Sequence, residues 1–162
     1  FKYSDLDSFT KIDDSLVVLL DHIEDPHNFG AIIRTCEAAN VDGIIIPKNR
    51  SVDVNSTVIR TSVGATKYVP VAQVTNIKST IDKLKKDGYW IVGTDMNGTN
   101  YSQIDYKGKT CIIIGNEGSG MARIVRENCD FIAEIPMKGK INSLNASVAA
   151  GIIIYEAVKQ RG

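Results

Sequence analysis

Leu16-Val17-Val18-Leu19-Leu20 is apolar at every position, and a strand of that kind has to be covered on both faces. The same pattern returns at Gly43-Ile44-Ile45-Ile46-Pro47, at Trp90-Ile91-Val92-Gly93-Thr94, over residues 111–114 and over residues 131–135. A further, less regular strand is expected over residues 68–71. Between these runs the apolar period changes from two to nearly four. Residues 28–40 place Ile32, Ile33, Cys36 and Ala39 on one side of a helix, and residues 77–86 repeat the period and stop at Gly88. Shorter helices are expected over residues 54–60 and 121–128, and a closing helix over residues 143–160. Alternating strands and helices predict an α/β fold, with a mostly parallel sheet covered by helices on both faces.

Composition narrows the class of molecule. The chain has 162 residues, 43% of them hydrophobic, which suits one domain with a real core. Formal net charge is zero, so a nucleic-acid partner would have to be met by local basic patches. Cys36, Cys111 and Cys129 lack C-x-x-C spacing, which fits reduced thiols in a cytoplasmic protein better than disulfides or zinc. There is no apolar run of membrane-spanning length. Residues 1–14 are polar and weakly periodic, and are expected to be the remnant of a linker ahead of a catalytic domain over residues 15–162.

Ligands in such folds sit beyond the carboxyl ends of the strands, which directs attention to the loops there. Several apparent motifs fail on inspection. Gly108-Lys109-Thr110 resembles the end of a phosphate loop, but Gln103 stands where its first glycine belongs. Gly115-Asn116-Glu117-Gly118-Ser119-Gly120 is not the dinucleotide fingerprint. Asp21, His22, Asp25 and His27 lack the helical spacing of a zinc site, so no metal is expected. Ser119 has no nucleophile elbow around it.

Three constellations remain. Asn28 and Arg34 lie about one and a half turns apart near a helix start, where the dipole gives an arginine no reason to be. Arg34 is either a surface salt-bridge partner or a phosphate-binding fork. Glu117 follows a buried strand in a glycine-rich loop, either as a helix-start carboxylate or as an orienting group. Ser143, Asn145 and Ser147 are expected to open the last helix, and capping accounts comfortably for only one of them. That helix, with Val148-Ala149-Ala150-Gly151-Ile152-Ile153-Ile154-Tyr155, is apolar nearly all round, which predicts cover from a second copy in a homodimer.

Asn28-x-Gly30-x-x-x-Arg34, Gly115-x-Glu117-Gly118-x-Gly120 and Ile135-Pro136-Met137-x-Gly139-x-x-x-Ser143-Leu144-Asn145-x-Ser147-x-Ala149 resemble, in order, the three motifs of the SpoU (TrmH) RNA 2'-O-ribose methyltransferases of the SPOUT class. Residues 126–130 and 155–158 look most like the bacterial branch that methylates a guanosine ribose in large-subunit (23S) ribosomal RNA. The resemblance implies a C-terminal trefoil knot, a homodimer, and S-adenosyl-L-methionine bound in the knot. By motif, the cofactor pocket would comprise Gly93, Thr94, Ile114, Gly115, Ile135, Ser143 and Leu144.

The implied reaction moves a methyl group from a sulfonium to a ribose 2'-OH, so positioning and proton removal are what the protein has to supply. The resemblance makes Arg34 the proton acceptor with help from RNA phosphate. Arginine stays protonated in proteins, and an electrostatic role suits it better. Asn28, Glu117, Ser143 and Asn145 would orient it, the ribose and the cofactor. RNA contacts are expected from Arg34, Lys48, Arg50, Arg60, Lys67, Lys138 and Lys140. The competing readings are a transfer-RNA ribose methyltransferase and an inactive knotted module that binds RNA or cofactor.

Overall fold

The computed structural model describes all 162 residues. Its strands are β1 (Leu16–Leu20), β2 (Gly43–Pro47), β3 (Val71–Val74), β4 (Trp90–Asn100), β5 (Thr110–Ile114) and β6 (Phe131–Glu134). Its helices are α1 (Asp7–Thr10), α2 (Pro26–Ala38), α3 (Ser56–Thr61), α4 (Ile77–Lys86), α5 (Arg123–Glu127) and α6 (Ala146–Arg161). All strand pairs are parallel, in the order β3-β2-β1-β5-β4-β6. The chain runs outward from β1 to β3 on one side, then crosses to β4 and comes back to place β5 beside β1. That reversal leaves a crevice at the carboxyl ends of β1, β5 and β4.

The alternation along each strand fills two cores. Val18, Leu20, Ile44, Ile112 and Ile114 pack against α2 and α6. Val17, Leu19, Ile45, Cys111 and Ile113 face α4, α5 and Phe9. Within residues 1–14, expected as a linker remnant, Leu6 and Phe9 pack on this second face and Tyr3 on the first. Phe9 is buried directly over Gly43, where an added Cβ would lie 2.3 Å from the ring, and Ser4 N–H donates to Val71 O. No helix is long and apolar enough to cross a membrane.

Some element boundaries depart from expectation for identifiable reasons. β3 starts at Val71 rather than at residue 68, because Ala65–Lys67 forms a 3-10 turn ending at Tyr68 and Pro70 cannot donate to a ladder. β4 runs on to Asn100 through an irregularity in which Thr94 and Thr99 both register with Ala133. α5 is shorter than residues 121–128, since Ala122 is extended and its N–H donates to Asp21 instead of entering the helix. α6 begins at Ala146, so Ser143 precedes the helix and Asn145 is its N-cap.

Candidate functional site

The loops leaving β4, β5 and β6 surround a cavity of about 620 Å³. Ile114, Ile135, Leu144, Ala149 and Ile153 give it apolar walls, while Asp95, Glu117 and Glu134 bring carboxylates to it. Of the expected cofactor residues, Thr94, Ile114, Gly115, Ile135, Ser143 and Leu144 line this cavity. Gly93 does not; a Cβ there would lie 2.6 Å from Cys129 Sγ and 2.7 Å from Met121, so its open side is filled by the residues flanking α5. Gly115 is required by close approach, since a Cβ would stand 2.5 Å from Met121 N and 2.6 Å from Gly120 C.

The β5 loop is bonded to the loop between β1 and α2. Glu117 accepts from Glu24 N–H at 3.2 Å and from Asp25 N–H at 2.8 Å, so its carboxylate orients the entry to α2 rather than starting its own helix. Asn116 donates to His22 O at 2.7 Å, and its carbonyl accepts from Gly118 and Ser119 N–H. Buried Asp21 receives Ala122 N–H at 2.7 Å on one oxygen and His22 Nδ1 at 2.6 Å on the other. Neither Asp21 nor Asn116 was singled out by the sequence reading for this task, although a carboxylate directly after a buried strand was a usable signal.

The third loop joins the first through one amide pair. Asn145 caps α6 by accepting from Ser147 and Val148 N–H, and its Nδ2 donates to Asn28 Oδ1 at 3.1 Å. The amide of Asn145 is therefore satisfied within the site, and Asn28, which is buried, is fixed by it. Glu117 and Ser143 line the cavity, whereas Asn28, Asn145 and Arg34 do not. Arg34 lies farther along α2, exposed, and enters none of the ion pairs of the fold. Lys48, Arg50, Arg60, Lys67, Lys138 and Lys140 are likewise exposed.

The cysteines stand outside the cavity. Burial raises the thiols of Cys36 and Cys111, and burial together with Asp130 pushes Cys129 up to about 11, so none is a thiolate nucleophile at neutral pH. On α6, Ala150, Ile153, Ile154 and Ala157 face the core. Val148 and Tyr155 remain 51% and 46% exposed, which leaves an uncovered apolar strip.

Comparison with known proteins agrees with this geometry. The model of the SpoU rRNA Methylase family matches residues 15–155. A protein of Staphylococcus saprophyticus assigned to the TrmH family of tRNA/rRNA methyltransferases is 50% identical over 167 aligned positions, covering 99% of this chain and 67% of its own length. The SpoU methyltransferase AviRb from Streptomyces viridochromogenes, solved with AdoMet, superposes with a TM-score of 0.90 at 34% identity, over 98% of this chain and 65% of that one. An AdoMet-bound rRNA methyltransferase from Sinorhizobium meliloti gives a TM-score of 0.91 at 32% identity, over 98% and 61% of the two chains. The chain thus spans about two thirds of the length of these relatives. The fold is the knotted α/β fold of the SPOUT methyltransferases.

Proposed function

The chain belongs to the SpoU rRNA methylase family, and from that membership we propose that it transfers a methyl group from S-adenosyl-L-methionine to a ribose 2'-OH of RNA. The carrying observation is the convergence of three loops on one cavity, with Glu117 and Asn145 tying that cavity to the helix bearing Asn28 and Arg34. The cavity is of a size suited to a nucleoside-sized ligand. Its apolar walls suit an adenine ring, and Glu117 and Glu134 suit a cationic sulfonium. Bound there, the cofactor supplies an already activated methyl group. Thr94, Ile114, Gly115, Ile135, Ser143 and Leu144 would hold it.

What remains for the protein is to place the ribose and stabilise the oxygen as its proton passes to solvent water. Arg34 carries that task as a permanent cation with a free fork, gripping phosphate and stabilising the developing alkoxide. Asn28 holds the start of its helix through Asn145, and Glu117 holds the loop before it. Lys48, Arg50, Arg60, Lys67, Lys138 and Lys140 offer exposed charge to RNA phosphates, with the salt dependence that implies. On this reading residues 15–162 are the catalytic unit, supported by the family match over residues 15–155, and residues 1–14 lead into it. The strip bearing Val148 and Tyr155 is covered by a second copy in a homodimer.

The favoured substrate is a guanosine of large-subunit ribosomal RNA, on the likeness of residues 126–130 and 155–158 to that branch. A transfer-RNA substrate is the second reading, since the staphylococcal relatives are named for both RNAs. Methyl transfer from radiolabelled S-adenosylmethionine to unmodified ribosomal and transfer RNA, with product mapping, separates the two. Arg34→Ala should lower the rate by about two to three orders of magnitude, the scale for losing one electrostatic stabiliser, with an unchanged melting temperature. Label in neither RNA, with cofactor binding intact, would leave a binding module.

A further inference from the structure

Between Thr94 and Thr99 the chain makes an excursion from β4. Both threonines register with Ala133, so residues 95–98 are extra backbone standing out from the ladder. Asn97 takes a left-handed conformation at φ 59°, and Gly98 runs so close to β6 that a Cβ would meet Ile132 O at 2.3 Å. Thr94, Asp95 and Met96 of this turn form one wall of the cavity. The methyltransferase reading assigns no residue to holding that wall.

Its anchor comes from α5. Arg126 Nη1 lies 2.6 Å from Asp95 Oδ2, and Nη2 donates to Met96 O at 3.1 Å and Asn97 O at 3.5 Å. The other Asp95 oxygen accepts from Met96 N–H at 2.8 Å, and Glu134 accepts from Asn97 N–H at 3.2 Å. One guanidinium therefore grips a carboxylate and two successive carbonyls of the same turn, which a point-charge ammonium cannot reproduce. The pair is sheltered, with side chains 35% and 31% exposed. On the same helix, Arg123 pairs with Glu127 four residues on while 91% exposed, a surface pair of little consequence.

We propose that Arg126 is a positioning residue for the cofactor: it fixes the 95–98 turn as a preformed wall of the cavity, so that binding does not have to order it. This rests on the reading of the cavity as the S-adenosylmethionine site. Its effect belongs to cofactor affinity and not to the chemical step.

The test measures S-adenosylmethionine binding by calorimetry, methyl transfer at saturating cofactor, and hydrogen exchange of the Met96 and Asn97 amides, all on the full chain. Arg126→Ala should weaken binding by about tenfold and speed exchange in the turn, while kcat at saturation changes by less than about threefold. Arg126→Lys should fall between, and Asp95→Asn with Arg126→Ala should be no worse than the poorer single change. Arg123→Ala should bind as the unaltered chain does. A dissociation constant within about twofold of the original in both Arg126 variants, each with normal melting, overturns the assignment and leaves the cavity reading standing. Should Arg126→Ala fail to fold, Arg126→Lys and Asp95→Asn carry the same decision. Absence of binding by the unaltered chain overturns the cavity reading and this assignment with it, whatever the exchange data show.

Discussion

The two sides of the cavity are built differently. Where β1 and β5 end, Asp21, Asn116 and Glu117 exchange hydrogen bonds between the two outgoing loops. Beyond β6, residues 136–144 contribute nothing to the backbone hydrogen-bond network, and they carry Ile141 and Leu144 at 79% and 41% exposure. One side carries its geometry in its own bonds, whereas the other presents polar groups and apolar surface to whatever binds there. Changes on the first side should therefore register in stability and site shape together, and changes on the second in binding with little cost to folding.

Gly115→Ala should produce the largest effect. The new methyl group would press on the backbone of Gly120 and Met121, which cannot give way as a flexible side chain can. A destabilisation of about 1–3 kcal/mol is expected, together with loss of S-adenosylmethionine binding, read by melting and calorimetry. Unchanged affinity would show that the bonded side does not set the shape of the cavity.

Asn145→Asp comes next and probes the seam between the sides. Aspartate keeps the N-cap, so stability should change by less than about 1 kcal/mol. It removes the donor to Asn28 and sets two acceptors against each other. Methyl transfer should drop by about tenfold or more as the start of α2 shifts relative to α6. A full rate with normal melting would separate the seam from catalysis.

The same division governs what could be read from the sequence. β1, β2 and β5 were legible because they are runs of almost wholly apolar residues, a pattern with few solutions other than a strand buried on both faces. The loops after β5 and β6 were legible from motifs and meet at the cavity, whereas the first motif lies on α2, joined to them through Glu117 and the Asn28–Asn145 bond. Several boundaries were not legible, for local reasons. The turn before Pro70 delays β3, the bulge in β4 is composed like a loop, and Ser143 competes with Asn145 as a cap and loses. The polar seams were the least legible, since Ala122 lies 101 residues from Asp21 and Asn116 lies 94 from His22. Nothing local marks partners so far apart. Arg126 belongs to the same class, with its bond partners 29 to 31 residues upstream.

Leu144→Ala tests the open side. At 41% exposure the side chain contributes little to the folded core, so stability should move by less than about 0.5 kcal/mol. Cofactor affinity should fall by several-fold, corresponding to about 1 kcal/mol of lost apolar contact. A large fall in melting temperature would contradict the division, because it would place residues 136–144 in the cooperative fold.

The smallest effect at neutral pH concerns the packing behind β4. Cys129 packs behind Gly93, and burial, followed by the charge of Asp130, pushes its thiol up to about 11 from an ordinary 9.0. The thiolate is the reactive form, so alkylation at pH 8 should be roughly a hundredfold slower than for an unfolded control on ionisation alone. The sign for stability follows from proton binding. Between those two values the folded chain holds a proton that the unfolded chain has released, so stability falls as pH rises there. The contribution is fully present below 9.0 and is lost as pH rises through about 11. Melting temperatures from pH 7 to 11 on Cys129→Ser and the unaltered chain check this: the unaltered chain should lose more stability at the alkaline end, and parallel profiles would mean that water reaches the back of the wall.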